Sequence, residues 1–305
     1  MTTTEAAAVT GPAAAPSGPG AEERISTRSA AGAIGRRIAT SVITIVVSLV
    51  ALCLLWVGLL RLFDVSAFVG KGPMDVFHYL FTAAPESGIR PTSLTAEAAR
   101  DQAFSALGTT LVDAAIGFVT GMVFATVVAA LFVLLKPVEV AFMPIAMLLR
   151  SVPLVAMAPV LLLIFGQGKV GIAAIAAIVV LFPALVNITL GLRSASPQAL
   201  DVIRVNGGSA LTAMLKVRIP SALPQFLASV RISVPGAIVG AMLAEWLSGF
   251  TGLGGVLSTY KGQGNYGGVW TVVVFAVVAS IVLYAVAAVI ETAVLAAWGP
   301  EAGRR

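Results

Sequence analysis

The feature that most constrains this chain is a succession of apolar runs, each close to the length that a bilayer demands. A hydrocarbon core about 30 Å thick asks for about 20 consecutive apolar residues in a helix. Such runs occupy, in rough bounds, Ala39–Leu60, Thr110–Leu135, Val140–Phe165, Val170–Leu190, Phe226–Leu247 and Trp270–Leu295. In lipid, backbone N–H and C=O groups must pair inside their own segment, so these runs are predicted as helices. Of the 305 residues, 58% are hydrophobic and only 11% charged, with a mean hydropathy of +0.99. Soluble domains carry about 25% charged residues. The expectation is an all-α membrane protein of about six transmembrane helices with both termini cytoplasmic.

Residues 1–35 are rich in Ala, Pro, Gly, Thr and Ser without an apolar face, which predicts a disordered cytoplasmic tail. The tail is too long and, with Glu5, Glu22 and Glu23, too acidic for a secretory leader, so no cleavage is expected. Residues 36–300 then form the transmembrane domain and 301–305 a second short tail. Of the 19 Lys and Arg, eleven fall on the predicted inside, six on or near the outside, and Arg150 and Arg231 within spans. That bias sets the orientation. A polar segment from Phe63 to about Gly108 carries short amphipathic pieces such as Met74–Leu80, and Gly249–Gly268 is a glycine-rich turn.

Several function classes are excluded. No GxxxxGK[ST] is present, so the chain has no loop of that kind to cradle phosphates. Gly252-Leu253-Gly254-Gly255 follows no strand and reads as a membrane turn rather than a nucleotide fingerprint. One histidine, His78, and one cysteine, Cys53 in an apolar run, supply neither a metal set nor a triad. Asp113, Glu139, Glu245 and Glu291 leave an intramembrane carboxylate enzyme conceivable, but their predicted depths scatter over both faces, which argues against a shared site. The net charge of +5 flanks apolar spans instead of forming a basic stripe, so no nucleic acid is expected. The chain is read as a non-enzyme that binds no cofactor or metal.

Charges inside spans need a reason, because one near mid-bilayer costs roughly 2.5–3.5 kcal/mol. Arg150 precedes Pro153, where a broken helix lines a cavity or, alternatively, the arginine snorkels to the interface. Arg231 is read as snorkelling. Glu245, near the far end of the fifth span, faces an outer vestibule or pairs within the bundle. Arg150, Pro153 and Glu245 are the candidates for a translocation pathway. Gly117/Gly121 and Gly236/Gly240 have the GxxxG spacing that lets helices approach closely.

The longest polar interruption of the second half is Leu192–Pro224, with Arg193, Arg204, Lys216 and Arg218 against the single acid Asp201. Pro197 suits a first helical turn and Gly207-Gly208 a helix stop. The pattern predicts two short amphipathic helices around a glycine turn, ended by Pro220 and Pro224. Within it, Asp201, Val202, Ile203 and Arg204 are followed by Gly207 and by Ile219-Pro220. This order resembles the signature loop of integral-membrane permease subunits of ABC importers: E-A-A, three residues, G, about nine residues, then I-x-L-P. Asp201 stands for the Glu, and Val202-Ile203 for Ala-Ala. Leu149-Arg150-Ser151-Val152-Pro153 and Ala244-Glu245 with Ser248, Gly252, Leu253 and Gly254 resemble motifs of the nitrate, sulfonate and taurine branch, as does the lead-in Lys71–Phe77.

The resemblance implies a type I ABC importer-like permease fold in a bacterial cytoplasmic (inner) membrane, working by alternating access. It implies two cytoplasmic ABC ATPase subunits that supply ATP and Mg, an extracytoplasmic substrate-binding protein, and a second permease copy or paralogue. Asp201, Val202, Ile203, Arg204, Gly207, Ile219 and Pro220 would then form the ATPase-coupling loop. The implied substrate is a small organic anion such as a sulfonate, or nitrate; the alternatives are a vitamin-like pyrimidine or flavin. A rival of another class is an ion-driven secondary transporter, against which stands the lack of a convincing internal repeat.

Overall fold

The computed structural model describes residues 47–82, 95–249 and 251–298, and only the backbone of Met147, Leu149 and Arg150. Both expected tails and the beginning of the first span, 39–46, lie outside the described residues. The chain falls into two units, 1–64 and 65–305. In the first, α1 is an apolar helix over Val47–Leu62.

The second unit is helical, with no strand among its described residues. Its helices are α2 Pro73–Phe81, α3 Ala96–Leu134, α4 Lys136–Ser151, α5 Leu154–Phe165, α6 Lys169–Arg193 and α7 Pro197–Val205. A short α8, Ala210–Ala213, runs through a π-turn at Met214–Arg218 into α9, Ile219–Ser248, and α10, Gly252–Gly262, and α11, Tyr266–Trp298, follow. Four stretches are long and apolar enough to cross a membrane: Ala96–Leu134, Lys169–Arg193, Ala210–Ser248 and Tyr266–Trp298. They carry the expected second, fourth, fifth and sixth spans. The third is the pair α4–α5, broken at Val152-Pro153 as Pro153 demands, because a proline disfavours helical backbone at the residue before it.

Three expectations are corrected. First, α3 begins at Ala96 rather than near Thr110, which extends the helix into the segment read as polar. The Thr95 hydroxyl caps it by accepting from the Ala98 N–H. This first part is amphipathic: Ala99, Ala103 and Ala106 are buried while Asp101 and Phe104 face outward, so uniform apolarity does not reveal it. Second, Pro220 and Pro224 do not end a helix. Pro220 sits in the first turn of α9, directly after the π-turn in which the Ile219 N–H bonds to the Met214 carbonyl. The wider turn absorbs the proline's missing donor and its ring, and the helix runs on. Third, the glycine-rich turn after α9 contains α10. Gly252, Leu253, Gly254 and Gly255 are buried, and a Cβ on Gly254 would lie 2.6 Å from the Trp246 nitrogen. Small residues here allow a helix to lie against α9.

At the centre stands α6, packed most extensively on α3 and α9. Its Ala176, Val180 and Ala184 are fully enclosed, as are Ala125 and Ala129 of α3 and Ala241 and Ala244 of α9. The two GxxxG pairs pack on adjoining faces of α6, one from α3 and one from α9, and meet at Ala176. A Cβ on Gly117 would come within 2.9 Å of the Ala173 carbonyl, and one on Gly121 within 2.7 Å of the Ala177 carbonyl. From α9, one on Gly240 would come within 2.8 Å of the Ala176 Cα, while Gly236 leaves 3.2 Å to Val179. Close backbone approach of this kind is how helices gain dispersion energy where lipid offers no hydrophobic drive.

Candidate functional site

The loop between α6 and α9 is built from local signals. The Ser196 hydroxyl accepts from the Ala199 N–H, and Pro197 occupies the first turn, so α7 starts where its cap is. It stops in a Schellman motif: the Gly208 N–H bonds to the Ile203 carbonyl at 2.8 Å and the Gly207 N–H to the Arg204 carbonyl at 3.0 Å. Gly207 has φ +74°, a left-handed conformation that glycine adopts without steric cost. The next helix is capped in turn by the Ser209 hydroxyl, which accepts from the Thr212 N–H at 3.2 Å.

Along α7 no residue is buried. Asp201 and Arg204 pair at 3.2 Å with 64% and 71% of their side chains exposed. Val202 and Val205 are 60% and 87% exposed. A solvated amphipathic helix does not present apolar side chains to that extent without a use for them. On the opposite face, Leu200 and Arg204 border a cleft of about 150 Å³ closed by Val133 and Leu134 at the end of α3 and by Arg218. The helix therefore rests over the end of α3 and presents Val202 and Val205 outward. Ile219 is half exposed, and Pro220 sits at the beginning of α9.

The feet of the loop are held by charged groups. Arg193, the last residue of α6, forms an ion pair with Glu139 of α4, which also accepts from Lys136 at 2.8 Å. The Arg193 guanidinium, seconded by the Lys136 ammonium, holds the Glu139 carboxyl down to about 2. Arg218 donates to the Leu192 carbonyl at 3.0 Å, and the Ser194 hydroxyl donates to the Gly191 carbonyl at 2.8 Å. One end of α6 is thus tied to both α4 and the start of α9.

Of the three pathway candidates, Pro153 stands at the start of α5 and Glu245 near the end of α9. The Arg150 side chain lies outside the described residues. Pro153 caps α5, and its neighbours Val152, Leu154 and Met157 face Ile178, Val179, Leu181, Phe182 and Pro183 of α6 across a cavity of about 340 Å³. Glu245 does not open on a vestibule: it is 0% exposed. Its Oε2 accepts from the Thr110 hydroxyl at 2.8 Å and from the Gly254 N–H at 3.0 Å, and the Thr110 Oγ1 accepts from the Leu253 N–H at 2.8 Å. The carboxylate fastens α10 to α9 and α3.

Residues 117–296, more than half of the chain, match the family described as binding-protein-dependent transport system inner membrane component. The chain belongs to this family. It is 34% identical over 146 residues to a probable ABC transporter permease protein of Haemophilus influenzae, covering 48% of this chain and 59% of that protein. It is 32% identical over 151 residues to the formylaminopyrimidine transport permease protein ThiX of Halalkalibacterium halodurans, covering 50% and 60%. It is 30% identical over 151 residues to a putative aliphatic sulfonates transport permease protein SsuC of Bacillus subtilis, covering 50% and 55%. The chain thus matches over somewhat less than two thirds of the length of these relatives. Among solved structures, it shares the fold of a chain of the MetNI methionine ABC transporter in an inward-facing form, with TM-score 0.51, 20% identity, and coverage of 64% of this chain and 95% of that one.

In this inner-membrane component, several residues that matter to the geometry escape a reading of the sequence alone. Arg193 and Arg218 read there only as basic residues of the loop, Glu139 as one of four scattered acids, and Thr110 as the start of a span. Pro197 was the one local signal for the start of α7, and the Ser196 cap beside it was missed. Nothing in the spacing joins Thr110 to Glu245, which lie 135 residues apart.

Proposed function

We propose that this chain is the transmembrane permease subunit of an ATP-binding-cassette importer, and that residues 192–224 couple it to a separate cytoplasmic ATPase. The observation that carries the reading is α7: a capped, exposed helix with Val202 and Val205 turned outward, in a chain of this family and without a phosphate-cradling motif. An apolar helix face seats in a partner's groove at positions one turn apart. Motion of such a partner would act on α7 and pass through the Schellman turn to α9. At the other foot it would pass through Arg193 and Glu139 to α4, and so to the break at Pro153. A second permease copy or paralogue and an external substrate-binding protein complete the complex, and the pathway alternates its access between the two sides. Asp201 and Arg204 make the polar contacts beside the apolar ones.

The substrate is a small organic anion such as a sulfonate, or nitrate, in line with the sulfonate permease among the relatives. One observation favours a second reading, a pyrimidine-like compound. The cavity beside Pro153 is lined by apolar side chains with Phe182 among them, which suits a flat heteroaromatic better than a compact anion. Purification of the tagged chain from its native membrane tests the main reading: an ATPase subunit is expected to accompany it, and ion-driven uptake by the chain alone, without ATP, would refute it. Ligand screening of the associated binding protein with sulfonates, nitrate and pyrimidines decides between the substrates.

A further inference from the structure

The cleft beside α7 has basic walls. It measures about 150 Å³ and lies between α7, the end of α3 and the beginning of the helix that continues into α9. Arg204 borders it from α7 and Arg218 from the π-turn, while Val133, Leu134 and Ala213 supply an apolar side. No carboxylate is among its described lining residues. Asp201 takes one N–H of Arg204 at 3.2 Å, yet its side chain is largely exposed and lines no part of the cleft. Arg218 gives one N–H to the Leu192 carbonyl at 3.0 Å. A guanidinium carries five N–H donors in a planar fork that matches phosphate oxygens. Each arginine therefore keeps donors for an anion.

Two cations on one small space repel each other, and an anion held between them relieves the repulsion. The level of the cleft in the fold narrows the choice of anion. Val133 and Leu134 are the last residues but one and the last of α3, a long apolar helix, and Lys136 follows closely. The cleft thus lies where a hydrocarbon core gives way to headgroups. Along the adjoining helix Leu211, Leu215 and Ile219, each one turn from the next, stand half exposed, and Lys216 beside them is exposed. An apolar stripe flanked by a cation is how a helix lies against a membrane interface. At about 150 Å³ the cleft falls below the ~300 Å³ at which small-molecule sites begin. It has room for a phosphodiester and its first carbons but not for a nucleotide. We propose that this cleft binds the phosphodiester of an anionic phospholipid, with Arg204 and Arg218 donating to the phosphate oxygens and the glycerol carbons against Val133, Leu134 and Ala213. Basic pockets at the ends of spans hold headgroups in this way. A zwitterionic lipid would add its own ammonium to a surface that already carries Arg204, Lys216 and Arg218. The bound lipid bridges α7 to the foot of α9 on the face opposite Val202 and Val205, so the seat of α7 depends on membrane composition.

The test uses the full chain without ATPase or substrate, so its failure and that of the transport reading stay separate. Protein is released from nanodiscs of mixed phosphatidylcholine and phosphatidylglycerol in the presence of inorganic phosphate, and native mass spectrometry identifies what each chain retains. One phosphatidylglycerol per chain is expected. Arg204→Gln combined with Arg218→Gln should weaken its retention about 30-fold, the loss expected of two basic residues at an anionic surface. Lys169→Gln, at the start of α6, should leave it unchanged. Ala213→Leu fills the cleft and keeps both charges; it should release the lipid as well, which separates loss of the site from misfolding of the double variant. Equal retention of the two lipids would overturn the proposal, as would inorganic phosphate retained in place of lipid. Phosphatidylglycerol held alike by the wild type, the double variant and Ala213→Leu would also overturn it. If the double variant then failed to hold an ATPase subunit on purification, the cleft would belong to that partner instead.

Discussion

The two ends of α9 are fastened by opposite means. At the loop end, Arg218, Arg193 and Glu139 hold the feet of α7 through ionic and carbonyl contacts in which Glu139 is buried while Arg193 and Lys136 reach solvent, and α7 itself buries nothing. At the far end, Glu245, Thr110 and the backbone of α10 form a hydrogen-bonded cluster that is wholly enclosed. Contacts that border water exchange with it at little cost, whereas an enclosed polar group left without its partner costs its full desolvation. One end can therefore be re-set by a partner, and the other serves as a fixed point against which such a movement acts. A helix that transmits force needs both.

Changes at the enclosed end should cost most. Glu245→Ala leaves the Gly254 N–H and the Thr110 hydroxyl without their acceptor, at about 1–3 kcal/mol each. A clear fall in melting temperature and in the yield of inserted protein is expected, and an unshifted melting curve would break the contrast between the two ends. Gly240→Val follows. Its side chain would collide with the Ala176 backbone of α6, an overpacking that costs about 1–3 kcal/mol, measured by thermal unfolding in detergent.

The first prediction bears on what the sequence made legible. The apolar runs placed the second, fourth, fifth and sixth spans, and the break at Pro153 followed from a proline's steric effect on its predecessor. Those are one-dimensional properties. The first part of α3 and the whole of α10 were not legible, because one is amphipathic and the other begins Gly-Leu-Gly-Gly, small residues that lie against the surface of α9. The continuous passage from α8 into α9 was hidden by Pro220, since a π-turn leaves no composition signal. Glu245 was visible as an intramembrane charge, but its facing was not: Thr110 is its partner across 135 residues. The proline start and the glycine stop of α7, by contrast, are local chemistry and were read directly, whereas the Ser196 cap was not.

At the loop end, smaller effects are expected on stability and larger ones on exchange. The carboxyl of Glu139 is held below its ordinary 4.5, so its contribution is present above that value and is lost as pH falls toward about 2. The protection of residues 191–196 against hydrogen exchange, taken relative to the intrinsic rate at each pH, should stay unchanged in the wild type from neutral to about pH 4.5. Glu139→Gln should lower that protection already at neutral pH. Equal exchange in both proteins would show that Arg193 needs no anchor. Smallest of all, Asp201→Asn or Arg204→Gln should change the melting temperature hardly at all, since an exposed pair is worth about 0.5 kcal/mol or less. If such a change also left ATPase coupling intact, the polar flank of α7 would have no part in docking.

The central claim, that the motion enters at α7, is tested most directly at Gly207 in the complex reconstituted in liposomes with its ATPase and binding protein. Asparagine tolerates the left-handed backbone and a β-branched residue does not. Gly207→Asn should retain substrate-stimulated ATP hydrolysis and uptake. Gly207→Val should insert and assemble yet lose both; unaltered stimulation of the ATPase in Gly207→Val would contradict the account.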